Sequence, residues 1–284
     1  MTTTRIALAT CKTLPEPDMD EAPLLAAFRA AGVDAQTLAW DDPEADPAGF
    51  DAVLLRATWN YAQQPDAFRI WLKRTTEATR VFNPLEVVMG NLDKRYLLEL
   101  EANGIGIVPT EYCAAGGSHD LDETLTRRGW AEVVIKPVVG AGSFLTERFG
   151  PDQLDAARAF LTEQCRDRDM LVQRFMPSVG TRGERAVVWI DGEISHAVHK
   201  HPRFKDDDER VEKVEALTVN ERAFCAHVGE QLPDDCLYGR IDIIHDDDGT
   251  PLLSELELIE PSLFFPFESG SADQFVRATL ARLT

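Results

Sequence analysis

Two absences stand out in this 284-residue chain: pairable cysteines and positive charge. Its five cysteines, Cys11, Cys113, Cys165, Cys225 and Cys236, are scattered, with no CxxC spacing. An odd, dispersed set excludes a disulfide framework and fits a reducing compartment. There are 29 Lys and Arg residues against 49 Asp and Glu, a net charge of −20. That balance excludes a nonspecific nucleic-acid binder, which needs clustered cations for phosphate. It also excludes docking on an anionic membrane. No apolar run approaches the ~20 residues of a membrane span. The start, MTTTRIALAT, is too short and polar for a signal peptide, so the expected setting is the cytoplasm. GxGxxG, GK[ST], internal repeats and low-complexity segments are all missing.

What is present reads as ordinary globular sequence, 44% hydrophobic and long enough for about two domains. Apolar runs at 5–9, 35–38 and 52–57 alternate with amphipathic stretches at 20–31 and 65–77. Such alternation predicts a parallel sheet with helices on its faces. Further on, strands are expected at 133–136, 144–149 and 170–175, and helices at 94–102 and 151–166. The last third predicts strands at 184–190 and 193–199 joined by Asp191-Gly192, a favoured hairpin turn. A helix at 219–232 opens on a Thr218/Glu221 capping box. A second hairpin, 238–245 with 252–258, precedes a final helix capped by Ser271 and Gln274.

That second hairpin, YGRIDIIHDDDGTPLLSELELIEPS, carries the strongest chemical signal. Asp242 lies inside one apolar strand, and Glu255 and Glu257 inside the other. Period-2 geometry points Glu255 and Glu257 to one sheet face, and the hairpin can bring Asp242 beside them. Three carboxylates on a buried face repel one another, and a Mg²⁺ ion with hard oxygen ligands would resolve the conflict. The alternative is an edge strand whose glutamates face water. Glu260 breaks the alternation and is assigned no role.

In VVIKPVVGAGS, Lys136 ends a strand before Gly140, Ala141, Gly142 and Ser143. Small residues let backbone N–H groups approach an anion, and the lysine can neutralise phosphate. Lys94 sits in NLDK at an expected helix start. The apolar strand ending in Gln173, Arg174, Phe175 and Met176 runs into an irregular stretch that can offer backbone groups to a purine. RATWNY places Arg56 at a strand end, where open parallel sheets bind ligands. Trp59 and Tyr61 are expected to pack the domain junction. HAVHKH invites a zinc reading, but His196 and His199 point to opposite strand faces.

The order of these signals resembles the ATP-grasp superfamily, in its glutathione synthetase-like branch. RATWNY, NLDK and SELELIEPSLFF resemble the D-cycloserine synthetase group, the O-ureido-serine cyclo-ligases. The resemblance implies a mixed α/β and α+β fold: an N-terminal parallel-sheet domain over 1–90, a small lid lobe over 91–175 and a C-terminal lobe over 176–284. The two lobes would enclose ATP. Lys94 and Lys136 would touch its phosphates, with Gly140, Gly142 and Ser143 as the mobile loop above them. Gln173, Arg174, Phe175 and Met176 would form the adenine hinge, and Glu184 would hold the ribose. Asp242, Glu255 and Glu257 would bind Mg²⁺, as two ions; many relatives have Asn where Glu257 stands.

The implied activity is a ligase that phosphorylates a small amino-acid-like carboxylate and joins it to nitrogen, by ring closure in the cyclo-ligases. Arg240 and Lys136 are the expected catalytic residues, with Arg56, Lys200 and Arg240 on the substrate. Arg203–Lys205 would cover the substrate on closure. A phosphotransferase and a non-catalytic nucleotide-binding module are the competing readings. Relatives are often oligomeric, so assembly into a homo-oligomer stays open.

Overall fold

The computed structural model describes residues 3–201, 210–214 and 216–283. The Arg203–Lys205 cover lies outside them. No described helix is long and apolar enough to cross a membrane. All five cysteines are buried and unpaired.

The first sheet holds β1 (Arg5–Thr10), β2 (Asp34–Ala39), β3 (Ala52–Ala57) and β4 (Arg80–Phe82), all parallel, in the order β2-β1-β3-β4. Side chains alternate across it. Ile6, Leu8 and Leu54 join one core with Leu24 and Phe28 of the helix Glu21–Ala30. Ala7, Ala9, Val53 and Leu55 join another with Phe68 and Leu72 of the helix Pro65–Ala78. A parallel strand buried on both faces needs this double cover.

The middle sheet is antiparallel: β5 (Thr110–Cys113), β6 (Val133–Pro137), β7 (Glu147–Phe149) and β8 (Met170–Arg174), in the order β5-β8-β6-β7. Its inner face builds a core of its own around Val133, Ile135, Met170 and Val172. The last sheet is also antiparallel: β9 (Glu184–Ile190), β10 (Glu193–Lys200), β11 (Val211–Lys213), β12 (Tyr238–His245) and β13 (Pro251–Glu257), in the order β11-β10-β9-β12-β13. One face packs Val187, Ile241 and Ile243 under Cys225 and Val228 of the helix Val219–Gly229. The other face packs Ala186, Val188 and Ile190 into the core that the first sheet also uses. First and last sheets therefore share one hydrophobic core, while the middle sheet largely keeps its own.

Several local expectations hold. Asp191 and Gly192 both take positive φ, as a tight hairpin turn requires. The Thr218/Glu221 capping box closes in both directions, at 3.2 and 2.7 Å. Others need correcting. The strand expected over 144–149 shortens to β7, because Ser143 and Leu145 adopt left-handed φ and the chain turns there. NLDK does not open a helix; Asn91 ends the helix Leu85–Asn91, and Lys94 lies in the turn before Tyr96–Ala102. Ser271 and Gln274 do not form a cap. Ser271 Oγ donates to the Glu268 carbonyl at 2.7 Å, and the Gln274 amide oxygen accepts from Ser195 at 2.9 Å.

Arg56 is the largest correction. It is 3% exposed and does not present itself to a ligand. Its Nη2 donates to the Pro261 carbonyl at 2.8 Å and lies 3.4 Å from Asp20. Asp20 is fully buried, and its carboxylate accepts from the amides of Leu263, Phe264 and Phe265 at 2.5, 3.1 and 2.8 Å. Phe264 has a φ of 52°, a costly conformation unless its surroundings fix it, and these bonds do so. Nearby, the Asn83 side chain bonds Leu237, Tyr238 and Leu258 backbone groups, and the Tyr238 hydroxyl lies among the Leu55, Phe82 and Ile259 carbonyls. The joint between the first and last sheets is thus polar at its centre and densely bonded, with only Arg56 Nε among these side chains left without a partner.

Asp20→Ala would leave Arg56 and three amides buried without their partner. We expect a loss of about 3–5 kcal/mol in urea unfolding. A loss below about 1 kcal/mol would show that the joint does not depend on this carboxylate.

Candidate active site

Arg240, Asp242, Glu255 and Glu257 share one face of the β12–β13 hairpin, in register as Arg240↔Glu257 and Asp242↔Glu255. The alternation expected from sequence is therefore the alternation observed. β9 and β10 add Glu184 and Lys200, directly paired across their ladder. The turn after Asn91 adds Lys94, and β6 adds Lys136.

Most of these charges answer one another. Arg240 meets Asp242 through Nε and Nη2, both at 2.8 Å, and also bonds Glu257. Its Nη1 donates to the Ser262 carbonyl at 3.2 Å. Lys200 Nζ is 3.1 Å from Asp242 and 3.8 Å from Glu184. Lys94 Nζ is 2.9 Å from Glu255 and donates to the Gly140 carbonyl at 2.5 Å. Ser254 Oγ lies 3.1 Å from Glu184.

Protonation follows from this wiring. Burial disfavours charge on Asp242, but Arg240 and Lys200 outweigh it and hold its pKa well below the usual range. Glu255 is half-buried, and Lys94 and Lys136 outweigh its desolvation and bring it down to about 2. Burial lifts Glu257 to about 7; Arg240 opposes this, while Asp242 and Glu255 reinforce it. Burial also lifts Glu184 to about 7, against the pull of Lys200. Lys136 is pushed down by burial and makes no hydrogen bond or ion pair among the described residues.

The Gly-containing loop lies over this cluster. Val139, Ala141 and Phe144 pack against the core that holds Tyr61 and Ile259. The amides of Gly140, Ala141, Gly142 and Ser143 donate to nothing among the described residues. The crossing segment is more committed than expected. Gln173 turns its side-chain amide to Thr110 at 2.9 Å, and Arg174 pairs with Asp246 and Asp247 in the β12–β13 turn. The Arg174 and Phe175 amides go to the Pro109 and Glu132 carbonyls, which leaves the Met176 amide free among the described residues.

Two groups are not legible from sequence periodicity. Glu260 lies just past β13, 7% exposed, with burial and Glu257 pushing its pKa up to about 8. Beyond a strand end, alternation no longer tells which way a side chain points. Tyr61 packs the junction as expected, stacked on Phe68 with ring centroids 5.0 Å apart, and its hydroxyl faces Glu260, Glu255 and Glu257. Away from this cluster, His199, His201 and Glu212 bring ligand atoms within 4.8 Å of one another. The comparison of His196 with His199 passes over this group, since it is His199 and His201 that share a face. His201 Nε2 lies 3.2 Å from Glu212, which is largely exposed, while His199 Nε2 has no hydrogen-bond partner among the described residues.

Comparison with known proteins agrees with this geometry. The family model for the N-terminal domain of D-cycloserine synthetase DcsG matches residues 6–83. The cycloserine biosynthesis protein DcsG of Streptomyces lavendulae is 32% identical over 288 residues, covering 94% of each chain. The crystal structure of D-cycloserine synthetase DcsG superposes with a TM-score of 0.88 at 30% identity, over 99% of this chain and 100% of that one. A RimK domain ATP-grasp protein from Sphaerobacter thermophilus shares the fold, with a TM-score of 0.71 at 20% identity over 98% and 100% of the two chains.

The Glu260 carboxyl has a folded pKa above its unfolded value. Its stabilising contribution is complete below about pH 4.5 and is lost as pH rises toward 8. Glu260→Gln lacks that dependence. We expect its stability relative to wild type to rise by more than about 1 kcal/mol between pH 5 and pH 8 in urea unfolding. An unchanged difference would mean that Glu260 titrates as an ordinary surface carboxylate.

Proposed function

We propose a reaction for this chain, which belongs to the D-cycloserine synthetase family of ATP-grasp ligases. The enzyme is an ATP-dependent ligase that binds ATP and Mg²⁺. In our reading its substrate is a small amino-acid-like carboxylate. That group accepts the γ-phosphoryl group of ATP, and the resulting acyl phosphate is attacked by nitrogen. A C–N bond forms, the acyl C–O bond to phosphate breaks, and ADP and phosphate leave. Ring closure within one molecule is the form we favour, as in the relative's named product.

The observation that carries this reading is the half-buried Lys136 ammonium with no ion-pair partner among the described residues, on the strand that leads into a loop whose four amides donate to nothing among them. A triphosphate is the ligand such a cradle suits. Lys94 joins it from the turn below. Met176, the end of the crossing, offers its amide to the adenine, and Glu184 takes the ribose hydroxyls. We assign the lid lobe to 91–175, between the domain at 1–90 and the lobe at 176–284.

The donor set suits Mg²⁺. Asp242, Glu255 and Glu257 are hard oxygen ligands on one face, and Glu257 resists ionisation because of burial, with repulsion from the other two added. A divalent cation relieves that repulsion, and we assign two ions to the three carboxylates. Mg²⁺ supplies charge neutralisation on the transferring phosphoryl group. Arg240 and Lys200, already beside Asp242, hold the substrate carboxylate and the acyl phosphate that replaces it. Holding both reactants in line converts a bimolecular step to an effectively unimolecular one, worth up to about 7–11 kcal/mol.

The test is incubation with Mg·ATP and a panel of amino-acid carboxylates that includes O-ureido-D-serine. ADP and phosphate should appear in equal amounts. A phosphorylated product without free phosphate would indicate a phosphotransferase, and no ADP across the panel would reject the ligase reading. By calorimetry, Lys136→Ala and Glu255→Ala should each weaken Mg·ATP binding by about tenfold or more. Arg240→Lys keeps the charge but loses the planar fork, and should lower kcat by about a hundredfold.

A further inference from the structure

The cleft holds five carboxyl groups, and four have partners: Asp242, Glu255 and Glu257 pair with Arg240, Lys200 or Lys94, and Glu184 with Ser254 and Lys200. Glu260 has no ion pair among the described residues. It is 7% exposed, and its carboxyl is bonded only by its own backbone amide. Lys94, Glu255 and Glu257 all lie within electrostatic reach of it, which puts it on the cleft.

Its position is fixed from both sides. The Glu260 carbonyl accepts from Trp59 Nε1 at 3.2 Å, and the next carbonyl, of Pro261, is held by Arg56 at 2.8 Å. The Tyr61 hydroxyl lies within electrostatic reach of Glu260 and makes no hydrogen bond among the described residues. A buried polar group without a partner needs a reason, and a bound ligand is one. Two neighbouring acceptors, one of them an acid, call for a ligand that donates several hydrogen bonds and carries positive charge.

The spacing narrows the ligand further. Arg240, assigned above to the substrate carboxylate, is anchored to the Ser262 carbonyl, two residues beyond Glu260. Two residues of chain span at most about 7 Å. A site for a carboxylate and a site for a cation so close together match the two ends of one zwitterion.

We infer that Glu260 and the Tyr61 hydroxyl form a subsite for the ammonium group of an amino-acid substrate. The inference rests on the ligase reading only for the placement of the substrate carboxylate at Arg240. The raised pKa of Glu260 is in keeping with a carboxyl whose cation arrives with the ligand.

Equilibrium binding tests it without requiring turnover. D-Serine, D-alanine and O-ureido-D-serine are each paired with the analogue lacking the amino group and titrated into enzyme saturated with Mg²⁺ and AMPPNP. Wild type should bind at least one amine-bearing compound about tenfold more tightly than its partner. Glu260→Gln, of the same size, should bring the two members within about twofold, and Tyr61→Phe should fall between. AMPPNP affinity should stay within about twofold in both variants, and their melting temperatures report folding. A wild type with no preference for the amine in any pair, or a preference that survives in Glu260→Gln, overturns the subsite. Amine preference lost in Glu260→Gln with no ADP formed by wild type keeps the subsite and rejects the ligase reading. ADP formation with the preference intact in Glu260→Gln does the opposite.

Discussion

Asp242, Glu255 and Glu257 stand together on one face of a single hairpin, and so much negative charge in a buried place must be answered. The architecture around the cleft supplies the answer. Arg240 comes from the same hairpin, Lys200 from a strand two places away, and Lys94 from a turn that follows the first sheet. None of these segments folds against the hairpin by accident of apolar packing alone. Removing Arg240 or Lys94 would leave Glu257 or Glu255 without its ion-pair partner, while Asp242 is held from two sides. The balance still falls short: burial, reinforced by charged Asp242 and Glu255, holds Glu257 at about 7. A cleft with that residual strain is predisposed to take a further cation.

The second constraint is mechanical. First and last sheets share a core, with Asp20, Arg56, Asn83 and Tyr238 bonding their joint. The middle sheet largely packs on itself. Its loop lies down on the core of the first sheet, and Gly140 reaches Lys94. Arg174, pairing with Asp246 and Asp247, ties the end of β8 to the β12–β13 turn.

Much of this is legible in the order of the residues. The parallel first sheet is readable from alternating short apolar runs and amphipathic stretches. The carboxylate face is readable because strand side chains repeat every two residues, which fixes Glu255 with Glu257 and lets a hairpin add Asp242. The failures have physical causes. The NLDK lysine sits in a turn rather than a helix, since the apolar spacing before it belongs to Leu85–Asn91. The strand expected over 144–149 stops short, since left-handed residues at Ser143 and Leu145 break it.

Sequence alone determined the order of the chemical groups, their faces on regular strands and the excess of acid over base. Each depends on near neighbours, and periodicity reports near neighbours faithfully. Only the tertiary structure decided the fates of Arg56 and Glu260. Arg56 looked like an anion contact and became a buried strut, because its partner carbonyl at Pro261 lies 205 residues away along the chain. Glu260 looked like a leftover and became a buried carboxyl at the cleft without an ion pair among the described residues. Whether a charge is spent or available depends on which distant segments reach it, and that is set by the packing of three sheets.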